Sequence, residues 1–114
     1  MKTRRQRSHK YNAKRTTVNG ITFPSRLEAQ VYACLLADQD DGRITRLERQ
    51  LEFVLQEEPR IVYRADFAYV DCLTGERVIV EAKGEPTPVW RLKEKLFRAK
   101  FPDLDLRVIS KPWR

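Results

Sequence analysis

The most informative run of residues in this chain is Val78-Ile79-Val80-Glu81-Ala82-Lys83-Gly84. Three β-branched residues run together and a glycine closes the run, which predicts a buried strand. Because the side chains of a strand repeat every two residues, Glu81 and Lys83 point to the same side. A carboxylate and an ammonium group therefore leave the end of this strand next to each other.

A second predicted strand carries an acid that can join this pair. The run from Val62 to Tyr69 surrounds Asp66 with aromatic residues, which indicates substantial burial of its carboxyl group. If the two strands are neighbours, Asp66, Glu81 and Lys83 converge. Two carboxylates hold a hard divalent cation, and a lysine beside them can orient or acidify a water molecule. The set predicts metal-assisted hydrolysis of a phosphodiester, although an ion pair on a sheet surface and a solvent-side Asp66 are the simpler alternatives.

The rest of the chain predicts one α/β domain over residues 16–114, preceded by a disordered basic tail over residues 1–15. The 114 residues suffice for one hydrophobic core and no second domain. The expected architecture is a central mixed sheet flanked by helices, in the order helix, three strands, helix, strand. The predicted elements are a hairpin over 16–23, a helix over 25–41, a strand over at least 50–56 with Gln50 at its start, strands over 61–70 and 77–83, a helix over 88–101 and a strand over 105–110.

Charge is distributed unevenly along the chain, whose net charge is +7. Residues 1–15 hold seven bases and no acid, residues 16–87 hold eight bases and thirteen acids, and residues 88–114 hold eight bases and three acids. Basic ends around an acidic middle suggest a polyanion footprint with an acidic pocket inside it. A solvated tail that aids solubility is the simpler explanation. The residues expected to contact DNA are Lys10, Lys14, Arg15, Arg91, Lys95 and Arg98.

Glu28 has two interpretations. Ser25 and Glu28 have the spacing of a capping box, in which the glutamate reaches back to the amide of the capping residue. A carboxylate in the first helical turn can also reach a metal ion bound at the strand ends. The sequence leaves both roles open.

These motifs together resemble the PD-(D/E)XK nuclease superfamily over about residues 20–110. More narrowly, Lys10–Lys14, Gly20–Glu28, Asp66-Phe67 and Leu92–Phe97 look like a phage-associated branch of small proteins of unknown function. That branch is similar to phage junction-resolving endonuclease I and to archaeal Holliday junction resolvases. One departure is Ala65, which stands where the superfamily motif has proline.

The resemblance implies a restriction-endonuclease-like core and a Mg²⁺- or Mn²⁺-dependent DNA endonuclease acting on branched or distorted DNA. Glu28, Asp66 and Glu81 would bind the metal, with the Ala82 carbonyl as a further ligand, and Lys83 would assist the attacking water. Hydrolysis would leave a 5′-phosphate, and cutting a junction symmetrically would suit a homodimer. The alternative function is a non-catalytic nucleic-acid-binding or packaging accessory protein.

We expect this protein in the cytoplasm, in the bacterial host if it is phage-encoded. No run approaches the ~18 apolar residues that a membrane span needs, and the basic N-terminal residues are not followed by the apolar stretch of a secretory signal. Cys34 and Cys72 lack any CxxC spacing. We interpret both as buried thiols in a reducing compartment.

Overall fold

The computed structural model describes residues 15–114, so all of the expected tail of residues 1–15 except Arg15 lies outside the described part. Its mixed α/β architecture and its order of helix, three strands, helix and strand confirm the prediction, with a short hairpin in front. The elements are β1 (Thr16–Val18), β2 (Ile21–Phe23), α1 (Arg26–Asp40), β3 (Ile44–Glu57), β4 (Arg60–Asp71), β5 (Arg77–Ala82), α2 (Pro88–Lys100) and β6 (Asp105–Ile109).

The central sheet has the strand order β3-β4-β5-β6. The first two pairings are antiparallel and the pairing of β5 with β6 is parallel, so the sheet is mixed, as expected. Strands β1 and β2 form a separate hairpin. Its turn residues Asn19 and Gly20 have φ values of 54° and 82°, which is the left-handed pair that a type I′ turn requires.

The two helices cover opposite faces of this sheet. Val78 and Val80 pack in a buried cluster that includes Leu35 of α1, whereas Ile79 packs in a second cluster that includes Phe97 of α2. This alternation is the period of two that a strand imposes on its side chains. A run of β-branched residues fits β5 because both of its faces are buried.

Two expectations need correction. Strand β3 begins at Ile44, six positions before the predicted start, and Gln50 therefore lies inside the strand. Cys34 is buried as predicted, but Cys72 is exposed in the turn after β4. The prediction of a buried thiol is wrong for Cys72 because β4 has already left the core there. None of the described helices is long and apolar enough to cross a membrane.

In both β3 and β4, the side chains that pack in the core change from one face of the sheet to the other, and they do so at the same level. The Arg49 guanidinium lies 4.8 Å from the Phe23 ring centroid on the α1 side, whereas Leu51, two residues later, packs on the α2 side. In β4, Ala65 packs on the α2 side and Phe67 on the α1 side. Leu51 pairs with Ala65 and Arg49 with Phe67, so the residues at the crossover are Gln50 and Asp66.

Gln50 adopts a left-handed backbone conformation, with φ at 55°. A residue with a side chain pays about 1–2 kcal/mol for this conformation, and a β-branched residue fits it worst. This strained backbone lies where the two strands change their buried face, at the level of Asp66, an acid predicted to be functional. The strained residue Gln50 therefore lies beside Asp66 at the level where both strands change their buried face.

Gln50→Val is expected to destabilise the protein by about 2 kcal/mol, and Gln50→Gly by much less. Urea unfolding followed by circular dichroism measures both. Glu48→Val is the matched control, because Glu48 is exposed in the same strand and has no left-handed backbone; its stability should change by less than about 0.5 kcal/mol. Equal losses for the two valine variants would contradict strain at Gln50.

Candidate active site

Asp66 and Glu81 lie opposite each other on neighbouring strands. Phe67 of β4 pairs with Val80 of β5 in antiparallel register, and one further step of the same register sets Asp66 against Glu81. The backbone N–H of Ala82 donates a hydrogen bond of 2.8 Å to Oδ2 of Asp66. The neighbouring strands that the sequence analysis required are therefore present.

Lys83 lies on the same side of the strand as Glu81, as the period of two predicts. The Lys83 Nζ is 3.4 Å from Oε2 of Glu81. Strand β5 ends at Ala82, yet the Lys83 N–H still donates to the Ile109 carbonyl at 3.0 Å. Strand-like geometry thus continues for one residue, which is enough to keep the two side chains together.

Glu28 belongs both to a helix cap and to the acidic cluster. The Ser25 hydroxyl accepts a hydrogen bond of 3.1 Å from the Glu28 N–H and so caps α1. The Glu28 carboxylate does not complete a capping box: it is buried and accepts instead from Nε2 of Gln50 at 3.3 Å. Glu81 and Lys83 both influence its pKa, so Glu28 lies within electrostatic range of the other site residues.

Burial dominates the electrostatics of these acids. It raises the pKa of Asp66 to about 8, helped by repulsion from Glu81 and Glu28, while the Ala82 N–H and Lys83 act in the opposite direction. Burial also raises the pKa of Glu81, opposed first by the Tyr63 hydrogen bond and then by Lys83. The pKa of Glu28 is raised by burial and lowered by Arg49. Three acids that repel one another away from water form a site that a cation would stabilise.

Two site residues were missed by the sequence analysis. The Tyr63 hydroxyl donates a hydrogen bond of 2.5 Å to Oε1 of Glu81, and the Trp90 ring centroid lies 5.7 Å from Lys83 Nζ. The sequence marks Tyr63 only as a buried aromatic residue, because nothing local joins two residues that are eighteen positions apart.

Trp90 is 7% exposed. Its indole Nε1 is buried without a hydrogen bond of good geometry. It nevertheless lies close enough to Tyr63 and Glu81 to offset a small part of the rise that burial causes in the pKa of each group. A buried donor beside a carboxylate favours the charged form of that carboxylate.

The chemistry of the donor set suits a hard divalent cation, although no complete cage is preformed. Asp66 and Glu81 offer carboxylate oxygens, the ligands that Mg²⁺ prefers, and Mg²⁺ typically takes one or two protein carboxylates and keeps several waters. Within residues 15–114, no group of three or more His, Cys, Asp and Glu side chains is arranged to hold a metal ion. The ligand roles of Glu28 and of the Ala82 carbonyl stay predictions.

The predicted DNA-contacting residues differ in availability. Lys10 and Lys14 lie outside the described residues, while Arg15, Arg91 and Lys95 are exposed. Arg98 is engaged within the protein: its guanidinium donates to Glu94 at 2.9 Å and to the Leu106 carbonyl at 3.2 Å. It therefore anchors α2 to β6 and is less free to contact phosphate than the sequence suggested.

Comparison with known proteins gives one match. A family model described as protein of unknown function (DUF1064) matches residues 8–114. No curated protein and no solved structure matches the chain.

Proposed function

We propose that this chain, which belongs to the DUF1064 family of proteins of unknown function, is a divalent-metal-dependent DNA endonuclease of the PD-(D/E)XK type. The observation that carries the proposal is the convergence of Asp66, Glu81 and Lys83 at the end of β5. Phosphodiester hydrolysis needs charge neutralisation and an activated water, and these groups can supply both. A protein that only binds nucleic acid gains nothing from buried carboxylates where phosphate would lie.

Asp66 and Glu81 would hold Mg²⁺ or Mn²⁺, which when bound polarises a phosphate oxygen and lowers the pKa of water. Lys83 has its Nζ beside Glu81, where it can donate to the attacking oxygen or to the charge that develops on the phosphate. Tyr63 fixes the orientation of Glu81. Trp90 covers Lys83 and limits the rotamers that its flexible side chain can adopt.

The substrate in this proposal is branched or otherwise distorted DNA, with a homodimer making paired cuts in a junction, in the cytoplasm of a phage-infected host. These finer points follow from the resemblance to junction-resolving nucleases. The competing function is a non-catalytic nucleic-acid-binding or packaging protein, which would not need Glu28, Asp66, Glu81 and Lys83 to lie together.

Incubation with labelled four-way junction, duplex and single-stranded DNA tests the proposal, each with Mg²⁺, Mn²⁺ or a chelator. We expect cleavage that requires the divalent cation and is fastest on the junction. Equal rates on junction and duplex would remove the branched-substrate assignment alone. Intact DNA under every metal condition would leave the binding function as the better account.

Tyr63→Phe is expected to lower kcat by about tenfold, the loss of one hydrogen bond to a charged group, and to leave KM for DNA almost unchanged. The ring contacts that Tyr63 makes with Phe53 and Phe97 are retained by phenylalanine, so folding should persist. A second measurement is Mn²⁺ affinity by calorimetry, which should weaken because Glu81 is less well oriented. Tyr32→Phe is the matched control, since Tyr32 is buried against Phe23 and Phe67 and its hydroxyl makes no hydrogen bond with any acid of residues 15–114. Unchanged Mn²⁺ affinity in Tyr63→Phe would show that the hydroxyl does not position a ligand.

A further inference from the structure

A cavity of about 480 Å³ lies on the half of the β3–β4 hairpin that extends beyond β5. Strand β5 pairs with β4 only at residues 67–70, so the earlier part of β4 has no strand on that edge. We call this cavity the β4 groove. Its lining residues are Glu52, Arg60, Val62, Arg64 and Lys93.

The β4 groove is positively charged, because three of its lining side chains are cations and one is an anion. Arg60 and Arg64 each have 59% of their side chain exposed. Arg64 pairs with Glu52 at 2.7 Å and Arg60 with Glu57 at 3.6 Å. Exposed ion pairs of this kind contribute about 0–1 kcal/mol, so an incoming anion can replace them at little cost.

Lys93 brings the third cation from α2. It makes no hydrogen bond or ion pair with any residue in the range 15–114. Successive helical residues are about 100° apart around the helix axis. Lys93 is two residues from both Arg91 and Lys95, so it lies on nearly the opposite side of α2 from them. It is half-buried on the flank of α2 that faces the sheet, whereas Arg91 and Lys95 face solvent.

The residues that line the β4 groove restrict which ligands it can bind. Val62 is its single apolar residue, so it lacks the apolar walls that a small-molecule pocket normally has. Guanidinium groups match the geometry of phosphate oxygens. The groove also begins next to the acidic cluster, since Arg64 is two residues from Asp66 and Arg60 is six residues from it.

We propose that the β4 groove binds backbone phosphates of the DNA strand that enters the acidic cluster, an inference that rests on the proposed nuclease function. At about 3.3 Å per strand residue, Arg64 lies about 7 Å and Arg60 about 20 Å along β4 from Asp66. A duplex rises about 3.4 Å per base pair. The contacted phosphates therefore lie up to about six base pairs from the scissile one.

DNA binding at several salt concentrations tests the β4 groove. The full chain is titrated onto a short labelled duplex in the presence of a chelator, so that no cleavage occurs. Arg60→Gln and Lys93→Gln should each lower the log–log salt slope by about 0.9, the loss of one phosphate contact. Glu52→Gln should raise the affinity for DNA, because it frees Arg64 and removes a charge that repels phosphate.

Arg77→Gln is the matched control. It removes the same charge from an exposed arginine at the start of β5, the end of the strand remote from Glu81, and should leave the slope unchanged. Thermal unfolding establishes that all variants fold. An unchanged slope in Arg60→Gln and Lys93→Gln, an equal fall in Arg77→Gln, or a wild-type chain that does not bind DNA would each overturn the inference.

Cleavage assays separate this inference from the function on which it rests. Slopes that fall as expected, together with DNA that stays intact in Mg²⁺ and Mn²⁺, would keep the β4 groove and reject the nuclease. Cleavage with unchanged slopes would keep the nuclease and reject the β4 groove.

Discussion

Asp66→Asn is expected to reduce DNA cleavage by about 10³-fold while the protein stays folded and still binds DNA. The substitution keeps the side-chain shape and an acceptor for the Ala82 N–H, but it removes one of two carboxylates that would hold the metal. Loss of the metal's charge stabilisation amounts to several kcal/mol in the transition state. Single-turnover cleavage of a four-way junction, with unfolding and DNA binding measured alongside, checks all three outcomes.

Lys83→Ala is the companion variant. It should lose about 10²–10³-fold in kcat, the typical cost of removing one donor from a developing oxyanion. Metal affinity should change much less than in Asp66→Asn, because the lysine is not a ligand. Glu76→Gln removes an acid from an exposed turn and should cleave like the wild type. Wild-type rates in Asp66→Asn would reject the proposed site.

The free energy of unfolding of the metal-free protein should fall as the pH rises from about 4 to about 8. Burial and the neighbouring acids raise the pKa of Asp66 to about 8 in the folded protein, whereas an unfolded aspartate titrates near 3.9. Between these values the folded state holds a proton that the unfolded state has lost. Stability therefore decreases with pH across this window.

The raised pKa values of Glu28 and Glu81 act in the same direction. Asp41, whose pKa is lowered by its hydrogen bond with Arg114, titrates below the window and does not mask the effect. Because one pKa unit corresponds to about 1.4 kcal/mol, the total loss should amount to several kcal/mol. Urea unfolding at a series of pH values measures it.

Asp66→Asn should flatten this dependence, since the amide does not ionise. Ca²⁺ or Mg²⁺ should restore more stability near pH 8, where the Asp66 carboxyl group loses its proton, than near pH 5, where it holds that proton. Stability that rises with pH in the metal-free wild type would contradict the electrostatics described for the cluster. A cation effect of equal size at both pH values would show that binding occurs elsewhere.

The order of the elements and the pairing of Glu81 with Lys83 could be predicted from the amino-acid sequence alone. Both follow from local rules: the strand period of two operates within three residues, and Ser25, Gly20 and Pro88 mark turns and helix starts through their own backbone preferences. These preferences hold wherever the segment lies in the fold. This is why β5 and α2 begin within one residue of their predicted positions.

The assembly of the site depends on long-range contacts that form only in the folded chain. The crossover at Gln50 and Asp66, the turn of Glu28 away from its cap, and the hydrogen bond from Tyr63 to Glu81 join residues sixteen or more positions apart in the chain. Such contacts depend on strand register and on which side chains are removed from water. Sheet pairing sets both of these, and no local pattern encodes them.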